Sequence, residues 1–261
     1  MWGSALKTLA LGAYPLLNGR KSLIRRLTRR WTVPQVWRGR HGILYLLDGR
    51  NYIDGRILRD GIYEGPAIEA FCAAVRDLRC DVFLDVGANI GVYSLSIAHL
   101  TPCREIVCFE PDPRNRNQLA ATIFLNGLDD VITIRPEAVS DREGTARFYA
   151  QRDAANPSSV KSRLTPFDAE GETALKIEVP LVMLERAVPL TGRRIAIKMD
   201  IEGHEAAALR GMAGLTRANT VLLQVEAFPE NYPEVERILV AEQGFRLLAR
   251  VTTNDYLFLK E

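Results

Sequence analysis

The chain is 261 residues long, 47% hydrophobic and 25% charged, which excludes wholesale disorder or a fibrous repeat and suits one medium domain with an N-terminal extension. Its net charge of +2 hides an asymmetry: residues 1–60 carry 12 Lys/Arg against Asp48, Asp54 and Asp60, while the other 201 residues carry 22 basic against 29 acidic side chains. Four cysteines (Cys72, Cys80, Cys103, Cys108) form no C-x-x-C pair and only three histidines are present, so zinc is a poor fit and the thiols read as small buried hydrophobes of a reducing, cytosolic compartment.

A basic arm (1–39) is expected first, then an extension of strands and a helix (40–79), then the main domain (80–261). In the arm, Trp2, Leu6, Leu9, Ala13 and Leu16 recur at helical spacing, Leu23, Leu27 and Trp31 continue it, and Arg25, Arg26, Arg29 and Arg30 fill the gaps. The apolar stretch between Lys7 and Arg20 is shorter than the roughly 20 residues a bilayer span needs. No charge precedes Lys7 and no clear A-x-A site follows, so a signal peptide is also a poor match. The expected use of residues 1–32 is peripheral attachment to the inner, anionic face of a membrane. The alternative is a helix packed on its own domain or on a second subunit of a homodimer.

From Arg40 to Gly65 the sequence reads as hairpins, and a helix is expected from about Pro66 to Leu78. Strand and helix then alternate. Strands are expected at VFLDV (82–86), EIVCFE (105–110), VITIRP, RIAIKMD (194–200) and TVLLQVE (220–226). Helices are expected at about Gly91–Leu100, Pro113–Asn126 and Pro233–Gln243, and FRLLARV and YLFLK close the chain. The alternation predicts an α/β, doubly wound, mostly parallel Rossmann-like sheet. Between about Ser140 and Glu185 it is interrupted by polar, loop-rich sequence, expected over the carboxyl edge where ligands bind.

Three motifs carry chemistry. Asp85-Val86-Gly87-Ala88-Asn89-Ile90-Gly91 follows a strand and opens a helix, with glycines for a tight turn and free N–H groups at the helix start. Its G-x-x-x-G spacing departs from the dinucleotide fingerprint, and Asp85 would repel a pyrophosphate but welcome an ammonium or sulfonium. FEPDP places Glu110 at the next strand's end, where a carboxylate accepts from both ribose hydroxyls. Together they describe S-adenosylmethionine. The third motif, IKMDIEGHE (197–205), sets Asp200, Glu202, His204 and Glu205 at a further strand end, with helix capping as the alternative role of the two glutamates.

The run from DVGANIG through FEPDP and IKMDIEGHE to NDYLFLK resembles the FkbM family of S-adenosylmethionine-dependent methyltransferases over about residues 80–260. That resemblance implies a class I methyltransferase fold and O-methylation of a hydroxyl on a sugar or a polyketide-like product. It implies cofactor contacts at Asp85, Gly87, Asn89, Gly91 and Glu110, and a signature beside the methyl group at Asp200, Glu202 and His204. Asp112 and Ala138 are added as cofactor contacts, and Glu64, in a Tyr63-Glu64 pair like one in relatives, as a partner for the cofactor's ammonium. Asn156, Ser158, Ser159 and Glu226 are candidates for the acceptor. Met183-Leu184-Glu185 stands where many members have Thr-Leu-Asp.

His204 is the expected base, because histidine titrates near neutrality, with Asp200 or Glu202 to orient it. A Mg²⁺ on Asp200, Glu202 or Glu226 is the rival, less favoured route. The expected acceptor is a glycan or lipid-linked hydroxyl. A small-molecule natural product and a catalytically silent scaffold are the alternatives. Nucleic acid is not expected, since the body is acidic and lacks aromatic interleaving.

Overall fold

The computed structural model describes residues 33–151, 164 and 174–261, so the arm of residues 1–32 and the candidates Asn156, Ser158 and Ser159 lie outside the described residues. An antiparallel hairpin, Gln35–Arg38 (β1) and Leu44–Leu47 (β2), comes first, and the boundary expected after residue 39 falls inside it. Of the hairpins expected over 40–65, HGILYLLDG does supply the strand β2, but the Gly-rich stretch after it is a helix, Tyr52–Asp60 (α1). Asn51 caps it by accepting from the Ile53 N–H at 3.0 Å, and Gly61 ends it in the left-handed conformation. Ile57 and Leu58 give it a buried face. Gly65–Asp77 (α2) follows as expected, with Pro66 in its first turn.

The free edge of β2 is closed by a helix rather than a strand. Gln118, Thr122 and Asn126 recur every four residues on Pro113–Leu125 (α4) and its C-terminal cap. Gln118 Nε2 donates to Leu46 O at 2.8 Å, Leu46 N–H donates to Thr122 Oγ1 at 3.3 Å, and Asn126 exchanges two bonds with Leu44 at 3.0 and 2.7 Å. The i, i+4 spacing places these polar groups in a row that stands in for a neighbouring strand.

The main sheet uses Val82–Val86 (β3), Glu105–Phe109 (β4) and Ile132–Arg135 (β5), with Val92–Leu100 (α3) and α4 as crossovers. Ala138–Val139 (β6), Gly144–Gln151 (β7) and Ala174–Val182 (β8) form a separate three-stranded sheet, so the stretch expected to be loop-rich carries two long paired strands. Leu184–Ala187 (α5) leads to Arg194–Met199 (β9). Glu205–Arg210 (α6) and Ala213–Ala218 (α7) precede Thr220–Glu226 (β10). Tyr232–Glu236 (α8) runs into a π-helical turn at Arg237–Glu242, and Arg246–Arg250 (β11) and Asp255–Lys260 (β12) end the chain.

The spatial order is β11-β12-β10-β9-β3-β4-β5. The last five are parallel, and β12 alone runs against β10 and β11. This is the doubly wound class I arrangement, with one reversed strand near an edge. Successive residues feed opposite cores: Phe83, Ala196 and Leu222 pack on one side, and Val82, Leu84, Ile195, Ile197 and Leu223 on the other. Strand order reverses between β3 and β9, which opens a crevice at their carboxyl ends.

Candidate active site

Asp85, the fourth residue of β3, is 2% exposed and accepts from Ser94 N–H at 3.2 Å and Ser94 Oγ at 2.5 Å. Burial lifts its carboxyl to about 6 despite those donors. Gly87 has φ +83°, and a Cβ there would stand 2.0 Å from the Asp200 carbonyl oxygen, so only glycine fits between the two strand ends. The Gly87 and Ala88 N–H groups donate to Phe109 O at 2.9 and 3.1 Å, which ties the glycine loop to the end of β4.

Glu110 sits just beyond β4, 4% exposed, and burial lifts its carboxyl to about 7. Its two oxygens accept from the Asn89 and Asp112 N–H groups, each at 2.7 Å. Asp112 caps α4 by accepting from Arg114 N–H at 2.8 Å.

A cavity of about 520 Å³ opens over these ends, large enough for a nucleoside-sized ligand. Glu64, Asp85, Gly87, Asn89, Glu110, Asp112 and Ala138 all reach it. Gly91 does not line it. Its φ is +81°, and a Cβ would meet Leu119 Cδ1 at 2.3 Å, so its task is to let α3 start against α4. Glu64 is held at φ +52° and accepts from Tyr93 OH at 3.4 Å, its carboxyl raised by burial.

The same cavity is lined by Asp200, Glu202, His204 and Glu226, at and beyond the ends of β9 and β10. Among the described residues, Asp200, Glu202 and Glu226 each bring a carboxylate oxygen within 4.8 Å of the others. Burial, then the charge of Asp200 and a hydrogen bond with it, push Glu226 up to about 10. The hydrogen bond His204 makes is with Ser140 Oγ, at 3.0 Å, and not with the carboxylates expected to orient it. Burial lowers the ring's proton affinity. Glu205 turns away and accepts from Gly203 N–H at 2.9 Å, the capping role. Glu185 accepts from Gly214 N–H at 2.5 Å and fixes α7.

Sequence reasoning missed Lys198 and Ser140. A lysine inside the buried run RIAIKM was the available signal, because an unpaired ammonium is not tolerated there. The described lining carries eight carboxylates against Lys198 and Arg114. Such a surface repels a pyrophosphate and attracts a cation.

The profile of the methyltransferase FkbM domain matches residues 85–247, more than half of the chain and the whole span from Asp85 through Glu226. The chain belongs to the FkbM methyltransferase family. It is therefore an S-adenosylmethionine-dependent methyltransferase. Among solved structures, methyltransferase FkbM from Methylobacillus flagellatus is 14% identical (TM-score 0.48), over 80% of this chain and 54% of that one. This chain thus spans about half of that relative. A methyltransferase from Geobacter sulfurreducens is 13% identical (TM-score 0.47), over 76% and 80%. TYW2 of Pyrococcus horikoshii, in complex with MeSAdo, is 15% identical (TM-score 0.43), over 88% and 70%. No match was found among curated proteins. The assignment rests on the family match and the strand order. The donor set fits the cofactor: Glu110 offers acceptors at the ribose position of the fold, and the acidic lining suits a sulfonium.

Proposed function

We propose that this FkbM methyltransferase transfers methyl to a hydroxyl of a sugar, glycan or lipid-linked acceptor. The observation that carries the reading is the sharing of one cavity by Glu110, His204 and the Asp200–Glu202–Glu226 cluster. Carboxylates accept from hydroxyl-rich ligands, and a base beside them removes the proton that makes a hydroxyl a poor nucleophile.

Bound S-adenosylmethionine supplies an electrophilic methyl group. Glu110 would accept from ribose hydroxyls, and Asp85 and Glu64 would hold the ammonium. Asp200, Glu202 and Glu226 would position the acceptor. Ser140 Oγ donates to Asp141 Oδ1 at 3.3 Å and lies 3.0 Å from His204 Nε2; with the serine proton so engaged, the neutral ring would donate Nε2–H and keep Nδ1 as its basic nitrogen. There it would take the acceptor's proton. The basic arm of residues 1–32 would hold the enzyme on anionic membrane, each Lys/Arg near the surface adding ~1 kcal/mol.

Methyl-labelled S-adenosylmethionine incubated with a source-cell extract, separated into lipid, glycan, nucleic-acid and small-molecule fractions, tests the reading. Label in lipid or glycan supports it. Label confined to small molecules replaces it with a natural-product enzyme, and no label in any fraction replaces it with a silent scaffold.

The 4.8 Å convergence of Asp200, Glu202 and Glu226 favours a second reading, in which Mg²⁺ held there lowers the hydroxyl's pKa. Activity lost in EDTA and restored by Mg²⁺ selects it. Activity indifferent to EDTA selects His204.

A further inference from the structure

Lys198 is out of place in its strand. It is the penultimate residue of β9, between β3 and β10, and is 3% exposed. Its ammonium donates to Asp255 Oδ1 at 2.7 Å and stands 5.2 Å from the centroid of the Tyr93 ring. Asp255, 4% exposed, is fixed by two further donors, Thr252 Oγ1 at 2.6 Å and Gln224 Nε2 at 3.1 Å. A buried ion pair of this kind stabilises a fold no better than apolar side chains of the same volume. Its value must be sought in the cavity.

Lys198 lines the cavity and Asp255 does not. The ligand therefore faces an ammonium whose charge is cancelled from behind. The methyl donor and its product differ there by one unit of charge: as the methyl moves to the acceptor oxygen, the C–S bonding pair stays on sulfur and the sulfonium becomes a neutral thioether. An uncancelled ammonium would repel the donor and leave the product untouched.

We propose that Asp255, acting through Lys198, is the positioning residue that sets the preference of this cavity for the cationic methyl donor over the uncharged thioether product. The proposal rests on the cofactor reading of the cavity. Two unit charges on the order of 10 Å apart in a protein interior change binding by about tenfold. Asp200, Glu64 and Asp85 bring negative charge to Lys198 from the end of β9, the α1–α2 link and β3. They keep it protonated when Asp255 is removed, and the charge it then draws from them is lost to the ligand.

The test is calorimetric binding of S-adenosylmethionine and S-adenosylhomocysteine to the full chain. Asp255→Asn should weaken the donor about tenfold more than the product, and Lys198→Met should shift the ratio of affinities the other way. A loosened fold weakens both ligands alike and leaves the ratio where it was. Ratios unmoved in both variants, or moved in the same direction, overturn the proposal. Should Asp255→Asn not fold, Lys198→Met decides alone, and a wild-type ratio overturns it. Wild-type protein that binds neither ligand would instead overturn the cofactor reading, and this proposal with it.

Discussion

The two halves of the crevice treat their acids in opposite ways. On the β3–β4 side each carboxylate already accepts hydrogen bonds: Asp85 from Ser94, Glu110 from Asn89 and Asp112, Asp112 from Arg114. On the β9–β10 side Asp200, Glu202 and Glu226 crowd one another, and Glu226 keeps its proton to about 10. The first half is organised before a ligand arrives, and binding there costs little rearrangement. In the second half the proton held on Glu226 relieves the crowding, and a cation or a row of hydroxyls would do the same. On the proposed reading, one half holds the methyl donor and the other reacts.

Substitutions on the reacting side should separate turnover from binding. His204→Ala should lower kcat by ~10²–10⁴-fold while the affinity for S-adenosylmethionine stays within a few-fold. Affinity falling in step with kcat would mean the halves are not separable. A smaller effect is expected on the holding side. Glu110→Ala should weaken S-adenosylmethionine by ~10–100-fold in calorimetry, the worth of hydrogen bonds to a charged acceptor. An unchanged dissociation constant would strip Glu110 of its role.

The smallest effect sharpens the comparison from outside the cavity. Asp54 on α1 is fully buried, accepts from Asp48 N–H and Gln118 Nε2, and is raised by burial to about 7. The native state then keeps a proton that the unfolded chain, with an ordinary aspartate near ~3.9, has released. The stability Asp54 contributes is fully present below about pH 4 and declines as pH rises through 7. Urea midpoints measured from pH 4 to 8 should show wild type losing ground to Asp54→Asn over that window. Parallel curves would show that burial does not hold the proton on Asp54.

The strands bounding the site were legible because sheets covered on both faces demand unbroken apolar runs, and VFLDV and RIAIKM are such runs. Glu110 and the DVGANIG turn were legible because their positions follow from those strands. The helix α1 was not: Gly49, Gly55 and Gly61 imitate hairpin turns, although Asn51 and Gly61 are its caps. β7 and β8 were missed because Gly144–Gln151 and its partner bury one face of a small sheet and read as polar. The pairs Lys198–Asp255 and Ser140–His204 lie 57 and 64 residues apart, a distance no local pattern spans.

The bare Cα of Gly87 sets a spacing. A Cβ there would stand 2.0 Å from the backbone oxygen of Asp200, so the width of a hydrogen atom fixes how near the glycine loop lies to the strand end that carries Asp200, the spacing between donor and acceptor on the proposed reading. In-line displacement is sensitive to that dimension, and a shift of about 1 Å can cost ~100-fold in rate. The glycine of the turn thus acts as a gauge block between two workpieces. Alanine at that position would wedge them apart, and the loss would show in the chemistry even where the donor still bound.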